Sequence, residues 1–281
     1  MHQWTKIRQE AACFEDEAVL VLNKPAGISV MGERHETDLV TLAREAGEEL
    51  FPVHRIDKVT SGAILFAKDM RFHPDLTRQF SRRTVDKAYL AITRPGGLPA
   101  RGTIELPLSV GRKNRVRIAA QRTAIETTRT PLPGQDGVPG AEHGRWSVPP
   151  GEVFTEVRTY PSETTFTRAW QDPRNAVLVV EPVTGRRHQI RVHLAWIGHP
   201  IEGDPLFDKG SAARGERTAL HSWRLAFDAA WTGGTRVTVE AEPGSDFWSP
   251  VHDRLPDGGP AAVLRTAAAS PSAPRDRHQR P

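Results

Sequence analysis

Residues 53–62 read Val-His-Arg-Ile-Asp-Lys-Val-Thr-Ser-Gly and run straight into Ala63-Ile64-Leu65-Phe66-Ala67. The apolar run reads as a buried strand, and Thr60-Ser61-Gly62 before it reads as a turn. Asp57 therefore sits on a loop leading into a sheet, with the cations Arg55 and Lys58 beside it. Loops held by rigid strands are where catalytic residues concentrate. On these residues alone a second reading is open, in which Asp57 is a turn former bonding to nearby backbone.

Upstream, residues 1–17 form a short polar lead, and Ala18–Leu22 is a strand candidate followed by Asn23-Lys24-Pro25-Ala26-Gly27. Pro-Ala-Gly is a turn signal that puts Lys24 at a strand end. Thr37–Ala46 reads as an amphipathic helix capped by Thr37, with Leu39, Val40, Leu42, Ala43 and Ala46 as its apolar stripe. Downstream, part of Asp69–Arg83 is helical despite Pro74, since Leu76 and Phe80 stand four apart. Lys87–Ile92 (KAYLAI) is a strand centred on Tyr89. A strand tyrosine taken alone is most often half-buried packing.

Thr103–Leu106 and Val116–Ala119 read as strands bracketing Arg112, Lys113, Arg115 and Arg117. Ala120–Tyr160 is rich in Pro and Gly and reads as an irregular insertion. Strand character resumes at Phe166–Trp170 and Ala176–Val180. Thr184-Gly185 then opens a helix in which Ile190, Leu194 and Ile197 face the core, Arg187 and Arg191 share a face, and Gly198 is the stop. His188 and His193 are about 140° apart on such a helix, so they are not a metal pair. Leu220–Phe227 and Val237–Ala241 are late strands, and Asp246–Leu255 holds a last helical turn. From Thr266 the Ala-, Ser-, Pro- and Arg-rich tail is expected to be disordered.

The 281 residues carry a formal charge of +4, which is compatible with a nucleic-acid partner. One cysteine, Cys13, excludes an internal disulfide and fits a reducing compartment. The first ten residues hold no secretory apolar core, and the apolar runs are far short of a membrane span. The expectation is a soluble cytoplasmic protein acting as a monomer.

Four stretches resemble the RluA-type pseudouridine synthases, in family order. His54–Gly62 resembles the family's H-R-L-D-x-x-T-S-G loop, with Ile56 in place of the usual Leu. Asn23–Gly27 resembles its N-K-P-x-G segment, and the strand around Tyr89 its K-x-Y-x-A strand. Thr184–Phe207 resembles its T-G-R-x-H-Q-I-R…G-D-x-x-(Y/F) run. The resemblance spans residues 18–120 and 166–255 and is weakest across 120–160. It implies an α+β catalytic domain over 18–258: a mixed, mostly antiparallel bent sheet with packed helices and a central cleft. The N-terminal RNA-binding domain of many members is expected to be absent, giving the short form.

The implied reaction is isomerisation of uridine to pseudouridine in structured RNA (rRNA or tRNA), with no cofactor and no metal. Asp57 takes the role of the essential aspartate, and Arg191 that of the arginine paired with it. Tyr89 lies against the target uridine, and Arg55 fills the gap left in the RNA. Lys24, Lys87, Arg112, Lys113 and Arg187 contact the RNA. Two rivals remain. A glycoside hydrolase would need a second carboxylate, Glu202 or Asp204, although Gly203-Asp204-Pro205 reads better as a turn. A non-catalytic RNA-binding protein of the same fold would bind RNA and leave it unmodified.

Overall fold

The strand expected after the Asp57 loop is present as Ser61–Ala67, and all seven of its residues are buried. The computed structural model describes residues 3–32, 37–135, 138 and 140–269, with the side chains of Lys113 and Ser211 outside that description. In chain order the main elements are α1 (Gln3–Ala11), β1 (Ala12–Glu15), β2 (Val19–Lys24), α2 (Leu39–Glu45), β3 (Phe51–Pro52), β4 (Ser61–Ala67), α3 (His73–Ser81) and β5 (Asp86–Thr93). Then come β6 (Arg101–Glu105), β7 (Leu108–Val110), β8 (Val116–Ile118), β9 (Glu126–Pro131), β10 (Glu142–Ser147) and β11 (Thr159–Tyr160). The rest are β12 (Thr164–Gln171), β13 (Ala176–Pro182), α4 (Gln189–Trp196), β14 (Leu220–Ala229), β15 (Thr235–Glu240) and α5 (Gly259–Ala269). The chain divides into two compact units, residues 1–89 with 220–247 and residues 90–219 with 248–281, so the boundary falls inside β5 after Tyr89.

In the first unit β4 pairs antiparallel with β2 and β3 and parallel with β14. The pairs β1–β2 and β14–β15 are antiparallel. Successive strand residues point to opposite faces. Val19, Val21, Ala63, Leu65 and Ala67 join a core with Leu76 of α3. Leu20, Leu22, Ile64 and Phe66 join another with Trp4 of α1 and Leu39, Leu42 and Ala43 of α2. Apolar cover on both faces is why β4 reads as an unbroken apolar run instead of an alternating one.

Two expectations for this unit change, and a third, the helix despite Pro74, finds its reason. The polar lead is structured: Trp4 is buried in α1 and its indole N–H donates to Glu48 at 2.8 Å. Helix α2 starts two residues later than expected, because Asp38 and not Thr37 caps it by accepting from the Thr41 N–H at 2.8 Å. Pro74 falls in the first turn of α3, where a missing N–H removes no helical hydrogen bond.

Ser61 and Gly62, expected in a turn, are the first two residues of β4. The φ of Gly62 is +107°, and a Cβ there would overlap the backbone of Ser222 on the parallel neighbour β14. Gly62→Ala is expected to cost at least about 1–3 kcal/mol from the backbone conformation alone, with the overlap added. A thermal melt coinciding with that of the unsubstituted protein would contradict this.

In the second unit β13, β12, β6, β10 and β9 are neighbours in that order, β6–β10 parallel and the others antiparallel. A separate small sheet, β11–β7–β8, is antiparallel. The expected irregular insertion instead contributes the β9–β10 hairpin, with Trp146 of β10 buried against Phe166 of β12. Residues 136, 137 and 139 of that stretch lie outside the described residues. The expected disordered tail is also corrected at its start, since Thr266 lies within α5, which buries Val263 and Ala267. Residues 270–281 lie outside the described residues. No described helix is long and apolar enough to cross a membrane.

Candidate active site

The loop carrying Asp57 is tied down on several sides within the first unit. Ile56 is buried in the core with Ile64 and Phe66, which anchors the residue just before the carboxylate. The Thr60 N–H donates to the Asp57 carbonyl at 3.0 Å and closes the turn just after it. His54 stacks on Phe80 of α3 with centroids 4.3 Å apart, and its Nε2 accepts the Leu65 N–H at 3.0 Å. Burial, with the nearby Lys87 charge adding to it, pushes the His54 pKa down to about 3. The imidazole therefore stays neutral and acts as a fixed acceptor.

Lys24 was expected to meet RNA phosphates, and the structure corrects this. The side chain is fully buried, and its ammonium donates to the carbonyls of Pro25 at 2.9 Å, Ile28 at 2.7 Å and Lys58 at 3.3 Å. A buried ammonium must have such partners to offset its lost hydration. The Gly27 N–H also donates to the Lys58 carbonyl, at 2.8 Å. Asn-Lys-Pro-Ala-Gly is thus a buttress for the residue following Asp57.

Tyr89 is half-buried against the same core as Ile56. Its phenol pKa is raised to about 12, by burial first, against a lowering by hydrogen bonding with the Ser222 side chain and with a further rise from the Asp57 charge. The Asp57 charge is therefore felt at the Tyr89 phenol. Arg55 is exposed and, among the described residues, has no recorded hydrogen bond or ion pair. Lys87 is half-buried.

The Thr184–Phe207 run lies in the second unit. Helix α4 begins only at Gln189, because His188 adopts a left-handed φ of 53°. Arg187 therefore precedes the helix and is exposed, and the shared helix face expected for Arg187 and Arg191 does not exist. Gln189 fixes the turn. Its Oε1 accepts from the Thr184 hydroxyl at 2.6 Å and the Arg186 N–H at 3.0 Å. Its Nε2 donates to the Glu163 carbonyl and the Thr164 hydroxyl.

Arg191 is only 3% exposed, and its Nε and Nη2 donate to the two oxygens of Asp204 at 2.7 and 2.8 Å. The Phe207 ring lies 5.7 Å from the guanidinium carbon. Asp204 also accepts the N–H groups of Leu206 and Phe207, so it is the expected turn former and a buried counter-ion as well. His193 is buried among Ser162, Thr164 and the Leu106 carbonyl, and desolvation lowers its pKa to about 4.

Residues 18–196 match the family model described as RNA pseudouridylate synthase. The chain belongs to that family. The dual-specificity RNA pseudouridine synthase RluA of Vibrio vulnificus is 34% identical over 229 residues, covering 80% of this chain and 78% of that protein. The tRNA pseudouridine synthase C of Pasteurella multocida is 32% identical over 227 residues, 76% of this chain and 84% of that one. The ribosomal large subunit pseudouridine synthase D of Nitrosomonas europaea is 33% identical over 228 residues, 75% of this chain and 56% of that one. Among solved structures, human RNA pseudouridylate synthase domain containing 4 superposes with a TM-score of 0.66 at 22% identity, over 90% of this chain and 97% of that one. The domain-containing-1 protein gives 0.58 at 22% identity, over 88% and 96%. These two likenesses support the α+β, mostly antiparallel fold.

This pseudouridine synthase also has a cationic surface in its second unit. The β7–β8 hairpin exposes Arg112, Arg115 and Arg117. Arg187 donates to the Asn114 carbonyl at 3.3 Å, which joins it to the same hairpin. The side chain of Lys113 lies outside the described residues. Sequence reasoning missed Tyr160 of β11, whose ring is flanked by the guanidinium carbons of Arg158 at 5.1 Å and Arg186 at 5.6 Å. The signal was local, a tyrosine two residues after an arginine, but Arg186 comes to it only through the fold. A cleft of about 440 Å³ elsewhere in this unit is lined by Arg94, Arg174, Arg214 and Arg254. Three of these pair with Asp208, Glu216 and Asp172, so most of its charge is internally matched. Among the described residues no group of three His, Cys, Asp or Glu is placed to hold a metal ion.

Proposed function

We propose that this chain isomerises uridines in structured RNA, rRNA or tRNA, to pseudouridine, with Asp57 as the essential carboxylate. The observation that carries the reading is the pinned Asp57 loop beside the Tyr89 phenol, in a chain of this family. In the isomerisation the N1–C1′ bond breaks, the base turns, and a C5–C1′ bond forms. C5 gives up its proton and N1 gains one, so atoms and charge balance without an oxidant or reductant. The carboxylate serves the electron-poor sugar carbon or acts as a base there. Tyr89 supplies an aromatic surface for a base taken out of its stack. Arg55, exposed next to the loop, suits the space an extruded base vacates. Arg191 is proposed as the positive counter-charge to the Asp57 carboxylate. Lys87, Arg112, Lys113 and Arg187 are proposed to meet phosphates.

The test is direct. RNA labelled with tritium at uridine C5 is incubated with the protein, and the label released to water is counted alongside chromatography of the digested nucleosides. Tritium release with a matching pseudouridine peak is expected. Free uracil or ribose would indicate a hydrolase, and intact label on bound RNA would indicate a binding protein.

A further inference from the structure

Next to Tyr89 lies a buried group that the chemistry above leaves unused. Ser222 stands on β14 opposite Gly62 of β4. The residue is 1% exposed, and its Oγ is closed off from solvent with no partner at full hydrogen-bond geometry. Burying an unpaired hydroxyl is destabilising, and such groups in native proteins call for a reason. Neighbouring polar groups are satisfied. Ser61 Oγ donates to His221 Nδ1 at 2.7 Å, and His221 Nε2 donates to the Ala241 carbonyl at 2.8 Å. Among the described residues Thr93 Oγ1, Glu202 Oε2 and Arg224 Nε are in the same state, and Ser222 is the one with Tyr89 as its polar neighbour.

Strand β14 lies between β4 and β5, and the Asp86–Tyr89 half of β5 belongs to the same unit. Ser222 lowers the Tyr89 phenol pKa as a hydrogen-bonding neighbour, so the two hydroxyls are within reach of one another, yet their contact falls short of full hydrogen-bond geometry. The Ser222 backbone is locked, since Gly62 already approaches it as closely as a residue without a Cβ allows. Any closing of the gap must come from side-chain rotation.

We propose that Ser222 is a positioning residue: its Oγ is the hydrogen-bond partner that Tyr89 Oη takes up when the target base is seated, fixing the phenol ring over that base. The idea rests on the reading of Tyr89 as the surface that holds the base. It assigns to the serine no contact with the sugar and no role in bond breaking. In the free protein the two hydroxyls meet only loosely, and the full hydrogen bond is made in the complex.

Tritium release is measured under single-turnover conditions for Ser222→Ala, Ser222→Thr and Asp57→Asn, with thermal melts of each free protein. Ser222→Ala is expected to slow the step about three- to tenfold, the range of one ordinary hydrogen bond. Its melting temperature should be unchanged or higher, since an unsatisfied group has been removed. The enzyme concentration for half-maximal rate should not change, and Ser222→Thr should recover rate by restoring a hydroxyl. A lowered melting temperature alongside the slower rate would make Ser222 merely structural and overturn the proposal. Wild-type rate in Ser222→Ala with an inactive Asp57→Asn would overturn it while leaving the proposed function intact. Activity in Asp57→Asn would instead bring down the proposed function.

Discussion

Asp57→Asn is expected to reduce tritium release from C5-labelled uridine RNA by at least about 10²–10⁴-fold, the range for loss of an acid–base group. The substitution keeps the shape of the side chain and removes its charge. Four ties that hold the loop do not depend on the Asp57 side chain, since they run through Ile56, the Asp57 carbonyl, the Lys58 carbonyl and His54. RNA affinity, measured by filter binding, should therefore stay within a few-fold of wild type while turnover disappears. That split separates a chemical role from a positional one. A mutant that binds RNA and still converts uridine at a tenth of the wild-type rate would remove Asp57 from the centre of the reaction. The same result would return the residue to the second reading of its sequence, a turn former.

The pinned loop was legible because its causes are local. Thr-Ser-Gly and the apolar run announce a loop feeding a strand, and the strand is there, beginning at Ser61. Lys24 was misread because a lysine at a strand end is ordinarily a surface charge. What buries it is three carbonyls, one of them 34 residues away, and no spacing rule reports that. The start of α4 was misread for a different reason. Apolar spacing sets a helix stripe but not its first residue, and here the left-handed His188 and the Gln189 side chain set the boundary.

The insertion and the tail were misjudged from composition. Pro131 ends one strand of a hairpin and Pro133, Gly134 and Gly140 lie in its turns, while Glu126–Pro131 and Glu142–Ser147 carry the strands. In the tail, alanine was taken as low complexity. Alanine is also the best helix former, and Val263 and Ala267 stand four apart on a helix and are both buried. A like signal was present in α1, where Trp4, Ile7 and Ala11 follow a helical spacing. In both terminal segments the periodicity was informative and the polarity misleading.

The bond with most at stake in the second unit is Arg191–Asp204, and the expected result is a large loss of stability on breaking it from either side. Each partner is essentially excluded from water, and the two meet through two parallel N–H···O contacts. Removing one partner from such a pair typically costs about 3–5 kcal/mol, because the remaining charge has lost the group that offset its lost hydration. For a chain of this size that corresponds to a fall in Tm of roughly 6–20 °C. Asp204→Ala should show the fuller effect, since the same carboxylate also accepts the Leu206 and Phe207 N–H groups. Asp204→Asn keeps an oxygen for those backbone groups but sets an uncharged amide against the guanidinium, so its melt should fall between that of Asp204→Ala and that of the unsubstituted protein. Turnover adds a second readout. If Arg191 is the counter-charge to Asp57 as proposed, Asp204→Asn assayed well below its own melting temperature should keep much of its activity, because the guanidinium remains, whereas Arg191→Met should not. Equal losses in the two variants would mean that the arginine acts only by holding the Gly203–Phe207 turn in place. Melts within a degree of wild type would mean that the carboxylate is not needed to keep a buried guanidinium in the protein.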